Sequence, residues 1–313
     1  MPFLRGVIAS SWKKAASFIW TSVGLPSPIS VTNLVYGNGR FVGTSNGNTS
    51  AISTDGVSWF VYTLPTPSGT GFWGAGAFGN GVFCITTSNS GNNSATSTDG
   101  QTWTMVTIPG ANAFWTGVAF NGTVFCAKDS NSTDTITSTD GATWTRHTGA
   151  NVMAASAIAS NGSGQFVTVG QIGQSAYSTD GISWSSGSGL NGSFNYSSVI
   201  WMGTKYLAFS GPGGSSGTYA ATSTNGTSWT AVTMPTSTLW QAAAWSGTQV
   251  CAIGGANSTL SNIVYTSPDA TTGSWTARSF TATNYWDAIA WGSGVFTAMA
   301  AIYSNLCNTS PMG

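Results

Sequence analysis

"STDGQTWT", residues 97–104, has near copies at "STDGVSWF" (53–60), "STDGATWT" (138–145), "STDGISWS" (178–185) and "STNGTSWT" (223–230), and a stretched copy at "SPDATTGSWT" (267–276). The acid or amide of each copy falls at 55, 99, 140, 180, 225 and 269, so the spacings are 44, 41, 40, 45 and 44 residues. A steady period in this range signals a repeat architecture. A second marker precedes each copy: "YGNGRFV", "FGNGVFC", "FNGTVFC", "SNGSGQFV", "MGTKYL" and "SGTQVC". A seventh, "WGSGVFT" (291–297), follows the last.

Each unit reads as four strands. The first is rich in small residues ("GAGAF", "TGVAF", "QAAAW", "DAIAW"), and a Gly turn leads to an apolar second strand. A polar loop of variable length precedes the third strand ("SATST", "DTITST", "SAYST"). Asp-Gly, a strong hairpin signal of type I′, then turns the chain into the fourth. The seventh unit lacks its own fourth strand. "WTSVGLP" (20–26) matches the fourth strands "WFVYTLP" (59–65), "WTMVTIP" (103–109) and "WTAVTMP" (229–235), so the N-terminal segment is expected to complete the last unit. Ser304 and Asn305 are expected at its motif position. The prediction is an all-β, seven-bladed β-propeller of four-stranded antiparallel blades, with no open sheet edge at the seam. The blades fall at about 31–66, 72–110, 112–148, 150–189, 193–236, 238–280, and 284–308 plus 15–26; residues 1–14 form a separate basic arm.

Composition agrees. The chain has 313 residues, 41% of them hydrophobic and only 5% charged, with eight basic and eight acidic groups. Every acid is Asp; absent Glu and scarce Lys argue against helix, and abundant Thr, Val and aromatics favour strand. A balanced charge leaves no footprint for nucleic acid. The N-terminal twenty residues make a poor export signal, with a short apolar run followed by Lys13 and Lys14, and no apolar run of membrane-spanning length occurs. Cys84, Cys126 and Cys251 follow matching apolar runs and are expected as buried free thiols in separate repeats.

The motif resembles the Asp-box, or bacterial neuraminidase repeat, Ser/Thr-x-Asp-x-Gly-x-Thr-Trp, which lies between the third and fourth strands of propeller blades. Five copies here are one residue shorter between Asp and Gly, and the sixth is longer. The shortened form resembles that of phage virion and tail-fibre propellers. Sialidases with this repeat imply three Arg on the substrate carboxylate and a Tyr–Glu nucleophile pair. This chain has Arg5, Arg40, Arg146 and Arg278, and no Glu.

Asp55, Asp99, Asp140, Asp180, Asn225 and Asp269 are therefore read as turn scaffold, each bonding its own backbone amides. Removing the motif acids leaves Asp129, Asp134 and Asp287, too few to assume the pair of carboxyls about 5–10 Å apart that glycoside hydrolysis needs. "GTSNG" (43–47) matches a nucleophile-elbow pattern but no helix follows it, and His147 is alone. "DSNSTD" (129–134) opens like a calcium loop and lacks its Gly and distal Glu. No catalytic residue, metal or cofactor is expected.

Binding is expected on the face that carries the variable loops 88–94, 128–134, 211–217 and 254–262. Trp73, Trp115, Trp240, Gln241, Tyr285, Trp286 and Asp287 enter the first strands there and are the candidate ligand-binding residues, with packing between blades as the competing role of the indoles. Arg5, Lys13 and Lys14 are the candidate docking residues for a partner. The reading is a non-enzymatic phage virion protein, exposed on the particle for host attachment or docked on it. Its partners would be other virion proteins and possibly a host-surface glycan, with no nucleic acid and no membrane insertion. An extracellular bacterial lectin-like propeller is the alternative, and a glycosidase the third.

Overall fold

The computed structural model describes residues 18–149, 155–211, 217–255, 260–301 and 304–311. Arg5, Lys13 and Lys14 lie outside the described residues. Seven four-stranded antiparallel sheets follow one another along the chain. Their first strands are Val31–Gly37, Phe72–Gly79, Trp115–Phe120, Ala155–Ser160, Tyr196–Trp201, Trp240–Trp245 and Trp286–Gly292, here blades I to VII. Each first strand packs against the first strand of the next blade, and Trp286–Gly292 packs against Val31–Gly37, so the ring closes. The closing blade takes its outermost strand from the N-terminal side: Thr21–Ile29 pairs antiparallel with Ser304–Pro311. That pairing covers the edge an incomplete blade would expose.

Two sequence expectations need correcting. Ser304 and Asn305 start the third strand of blade VII instead of ending it. Phe296 pairs with Ser310, as Phe83 pairs with Ser97 and Phe166 with Ser178, so Ser310 holds the motif position. The third strand of blade VII, Ser304–Pro311, has eight residues against four to seven in the other blades, so it begins well before the motif position is reached.

The second correction concerns turn type. The two-residue turns with positive φ at both centres are Asn38-Gly39, Asn80-Gly81 and Ser293-Gly294, between first and second strands. In the Asp-Gly hairpins only the Gly is left-handed, and six residues (54–59 in blade I) separate the strands. Side chains organise that longer loop. Ser53 Oγ accepts the amides of Asp55 and Gly56, while Asp55 Oδ1 accepts those of Val57 and Ser58 at 2.8 and 2.7 Å and the Ser53 hydroxyl at 2.9 Å. Copies at Asp99, Asp140, Asp180 and Asn225 repeat the two amide bonds. Asp269 accepts the amide and hydroxyl of Thr271 in the stretched copy.

The motif also locks blade to blade. A Cβ on Gly226 would lie 2.4 Å from Val167, and one on Gly100 2.7 Å from Val42, each in the preceding blade. The motif Trp then enters the inter-blade core. Trp59, for example, packs with Phe41 and Ala51 of its own blade and Ala288, Met299 and Cys307 of blade VII. Cys84, Cys126, Cys251 and Cys307 are buried free thiols, and burial pushes each thiol up.

Candidate functional site

First strands start on the face that carries the connections between blades and between second and third strands. The Asp-turn hairpins lie at the other end of every blade. At its start each first strand breaks register: between Val31/Asn33, Trp73/Ala75, Trp115/Gly117, Ala155/Ala157, Tyr196/Ser198, Trp240/Ala242 and Trp286/Ala288. One unpaired residue sits in each break, the arrangement of a β-bulge, which re-aims a side chain without ending the strand. The bulged residues are Thr32, Gly74, Thr116, Ser156, Ser197, Gln241 and Asp287, a polar ring at the mouth of the central channel.

The residue before each bulge turns the opposite way. Trp73, Trp115, Trp240 and Trp286 are at most 1% exposed. Trp73 packs on Leu64, Ile85 and Ala95, and Trp286 stacks on Phe280 with centroids 4.3 Å apart. Such rings have no free face for a ligand, so of the two roles the sequence offered the indoles, packing between blades is the one they fill. The chemistry of the mouth passes to the next residue in each strand. Tyr285 is half-buried at the entry to blade VII, where its amide donates to Asn284 Oδ1 at 2.8 Å and its carbonyl accepts from Ala301 at 2.7 Å.

Two candidates, Gln241 and Asp287, are brought together across blades VI and VII: Gln241 Nε2 donates to Asp287 Oδ1. Burial pushes the Asp287 carboxyl up to about 6, against the opposing pull of the Gln241 amide. Other ring members bond their neighbours too. The Thr32 hydroxyl lies 3.2 Å from the Trp73 carbonyl of blade II, and the Thr116 hydroxyl donates to the Ala155 carbonyl of blade IV at 3.1 Å. On the side of blades I to V, a cavity of about 210 Å³ is lined by Asn33, Gly76, Val118, Ser198 and the bulged residues of those five blades. Asn33 Nδ2, Ser197 Oγ and Gln241 Oε1 are shielded from solvent without a hydrogen-bond partner. The mouth therefore offers one donor amide, one acceptor amide oxygen, hydroxyls and a single carboxyl. That set suits hydrogen bonding to a polyhydroxylated or amine-bearing ligand.

The other sequence candidates have local roles. In the loop 128–134 a lysine occupies the place a cation would take: Lys128 Nζ donates to the carbonyls of Asp129, Ser132 and Asp134 at 3.0, 2.6 and 3.1 Å. Desolvation pulls that ammonium down to about 8. Asp134 pairs with Arg146 at 2.8 Å, and Arg146 lies over the Trp115 ring. Among the described residues no group of three His, Cys or acidic side chains is placed to hold a metal. Ser45 Oγ accepts the amides of Gly47 and Thr49 within its turn, and His147 Nε2 lies 2.8 Å from the Thr137 hydroxyl in blade III.

Sequence reasoning picked out Gln241 and Asp287 but missed the ring. The missed signal is positional: aligning the repeats puts 32, 74, 116, 156, 197, 241 and 287 in one column, polar or glycine throughout.

No protein-family model matches the chain, and no curated protein matches it in sequence. Solved structures do match in shape. A streptogramin B lyase superposes with a TM-score of 0.77 at 12% identity, covering 95% of this chain and 98% of that one. YCF48 bound to D1 peptide gives 0.70 at 14%, covering 94% and 97%. The WD40 β-propeller domain of Doa1 gives 0.67 at 10%, covering 95% and 98%. Likeness at these identities establishes the propeller and nothing finer.

Proposed function

We propose that this propeller is a non-enzymatic binding module displayed on the outside of a phage particle, where its variable-loop face attaches to a host-surface glycan or to a neighbouring virion protein. The observation that carries the reading is the division of labour between the two ends of the blades. One end spends its aspartates on turns, whereas the other turns seven bulged residues, Gln241 and Asp287 among them, toward the channel mouth. A charge-poor surface wetted by Ser, Thr, Asn and Gly suits exposure to varied ionic conditions, because its solubility does not depend on screened charge. Absent Glu, a lone His and a single mouth carboxyl support the non-enzymatic assignment.

An extracellular bacterial lectin-like propeller is the second reading, favoured by the same hydroxyl-lined mouth. The test is a glycan array followed by host adsorption. Binding is expected to be lost in Gln241→Ala and Asp287→Asn while both variants remain folded and unfold cooperatively. Unchanged adsorption by both variants would overturn the mouth as the site. Release of sugar from any bound polysaccharide would overturn the non-enzymatic reading. Capsid or tail genes beside the coding sequence favour the virion, and a polysaccharide cluster the lectin.

A further inference from the structure

Blade IV breaks the pattern at one position. The residue before the bulge is a buried Trp in blades II, III, VI and VII, Tyr196 in blade V and Val31 in blade I; in blade IV it is Ala155. In blade II the indole of Trp73 lies against Ile85 of the second strand and Ala95 of the third, which are register partners. The equivalent pair in blade IV is Thr168 and Ala176. Leu64, the third contact of Trp73, stands five residues after its motif Trp. Ile108, Met234 and Phe280 share that position and pack with Trp115, Trp240 and Trp286. Its counterpart before blade IV is Gly149, which is exposed.

Among the described residues, indole and aliphatic partner are thus both missing from this junction, and no larger side chain on the facing strands compensates. A cavity of about 160 Å³ remains, walled by Ala155, Thr168, Val169 and Ala176. Gln174, Ser175, Ser186 and Gly187 complete its lining together with Gly170 and Gly173. The fourth strand of blade IV is only Ser185–Ser186, and Gly187 stands where blade V has the buried Val232, so the outer strand brings only Ser186 and a glycine to the cavity wall.

We infer that this cavity is a binding site for one flat aromatic ring of benzene to indole size, supplied from outside the chain. Four other blades show that the same strand framework holds an indole in this position. A cavity of ~150 Å³ in a rigid core is large enough to take up a benzene ring, and here Ala155, Val169 and Ala176 share the wall with Thr168, Ser175 and Ser186. Gln174 is among the residues that line the cavity, beside Gly173 and Ser175. The ring arrives as a free heteroaromatic compound or on the side chain of a peptide. The site is separate from the channel mouth and does not depend on what binds there.

Saturation-transfer NMR on the full chain, with indole as probe, tests this without interference from the protein's own tryptophans. Transfer to the indole protons is expected in the native protein, unchanged in Asp287→Asn and abolished in Ala155→Trp, which restores the residue other blades carry. Ala155→Leu, a smaller filler, is expected to weaken the signal and keeps the test decisive if the Trp variant does not fold. N-acetyl-tryptophanamide is the second probe: competition with indole assigns a peptide source, and its absence a free small molecule. No transfer in the native protein, or equal transfer in both filled variants, overturns the site.

Discussion

The aspartates at the two ends of the blades are the same side chain in opposite circumstances. Asp55 accepts two backbone amides and a hydroxyl, and those donors, Ser58 and Val57 first, hold its carboxyl down at about 2. At Asp140 burial pushes the carboxyl up, but the amides of Thr143 and Ala142 outweigh it, again to about 2. Asp287 has one neutral side-chain donor, and burial wins. The number of fixed donors decides whether a carboxylate belongs to the frame or is left with capacity for a ligand.

The sharpest test of that division separates adjacent residues of one strand. Trp240 points into the core and Gln241 to the mouth. Trp240→Ala should cost about 3–5 kcal/mol in urea denaturation, the usual range for deleting a buried indole. Gln241→Ala should leave the midpoint nearly unchanged. Equal losses would erase the distinction between frame and mouth. Next in size is Asp140→Ala, which strips a charged acceptor from four donors and should cost about 2 kcal/mol by the same measurement.

Titration sharpens the contrast because the two ends respond to acid with opposite sign. Asp287 has a folded value of about 6 above its ordinary 3.8. Its contribution is fully present below 3.8 and is lost as pH rises through 6. The native protein should therefore gain about 1.4 kcal/mol between pH 7.5 and pH 5, and Asp287→Asn should remove that gain. The turn acids, with lowered folded values, contribute above 3.8 and lose that contribution as pH falls through about 2. A native stability that is flat between pH 5 and 7.5 would place Asp287 among the scaffold residues.

Repetition made the frame readable from sequence. Six motif copies and seven second-strand markers fix the period, and the match between "WTSVGLP" and the other fourth strands identifies the closing segment. What a single stretch could not show was register. The Asp-Gly pair looks like a two-residue turn until Ser and Asp side-chain oxygens are seen accepting the amides that a tight turn would pair internally. A bulge depends on which residue of the neighbouring strand faces it, so Asp287 reads as one residue in a small-residue strand. Its contact with Gln241, one repeat earlier, emerges only when strands are stacked. The missing indole at Ala155 was open to view in the repeats, yet an Ala in a strand rich in Ala carries no local signal.

The smallest expected effect bears on what holds the turns. Asn225 stands in the fifth copy and makes the three bonds of its Asp counterparts, from Ser223 Oγ at 3.0 Å and the amides of Thr227 and Ser228 at 2.9 and 3.1 Å. Geometry, then, is satisfied by a neutral oxygen. Asp55→Asn should change stability at pH 7 by less than about 0.5 kcal/mol, the usual scale for an exposed substitution that keeps its contacts. It should also flatten the part of the acid limb that Asp55 contributes between pH 3.8 and 2. If Asp55→Asn instead costs as much as Asp140→Ala, charge and not placement of an acceptor holds the hairpin. Asn225 would then mark the weakest turn of the ring, and hydrogen exchange should show the amides of Thr227 and Ser228 opening before those of Ala142 and Thr143.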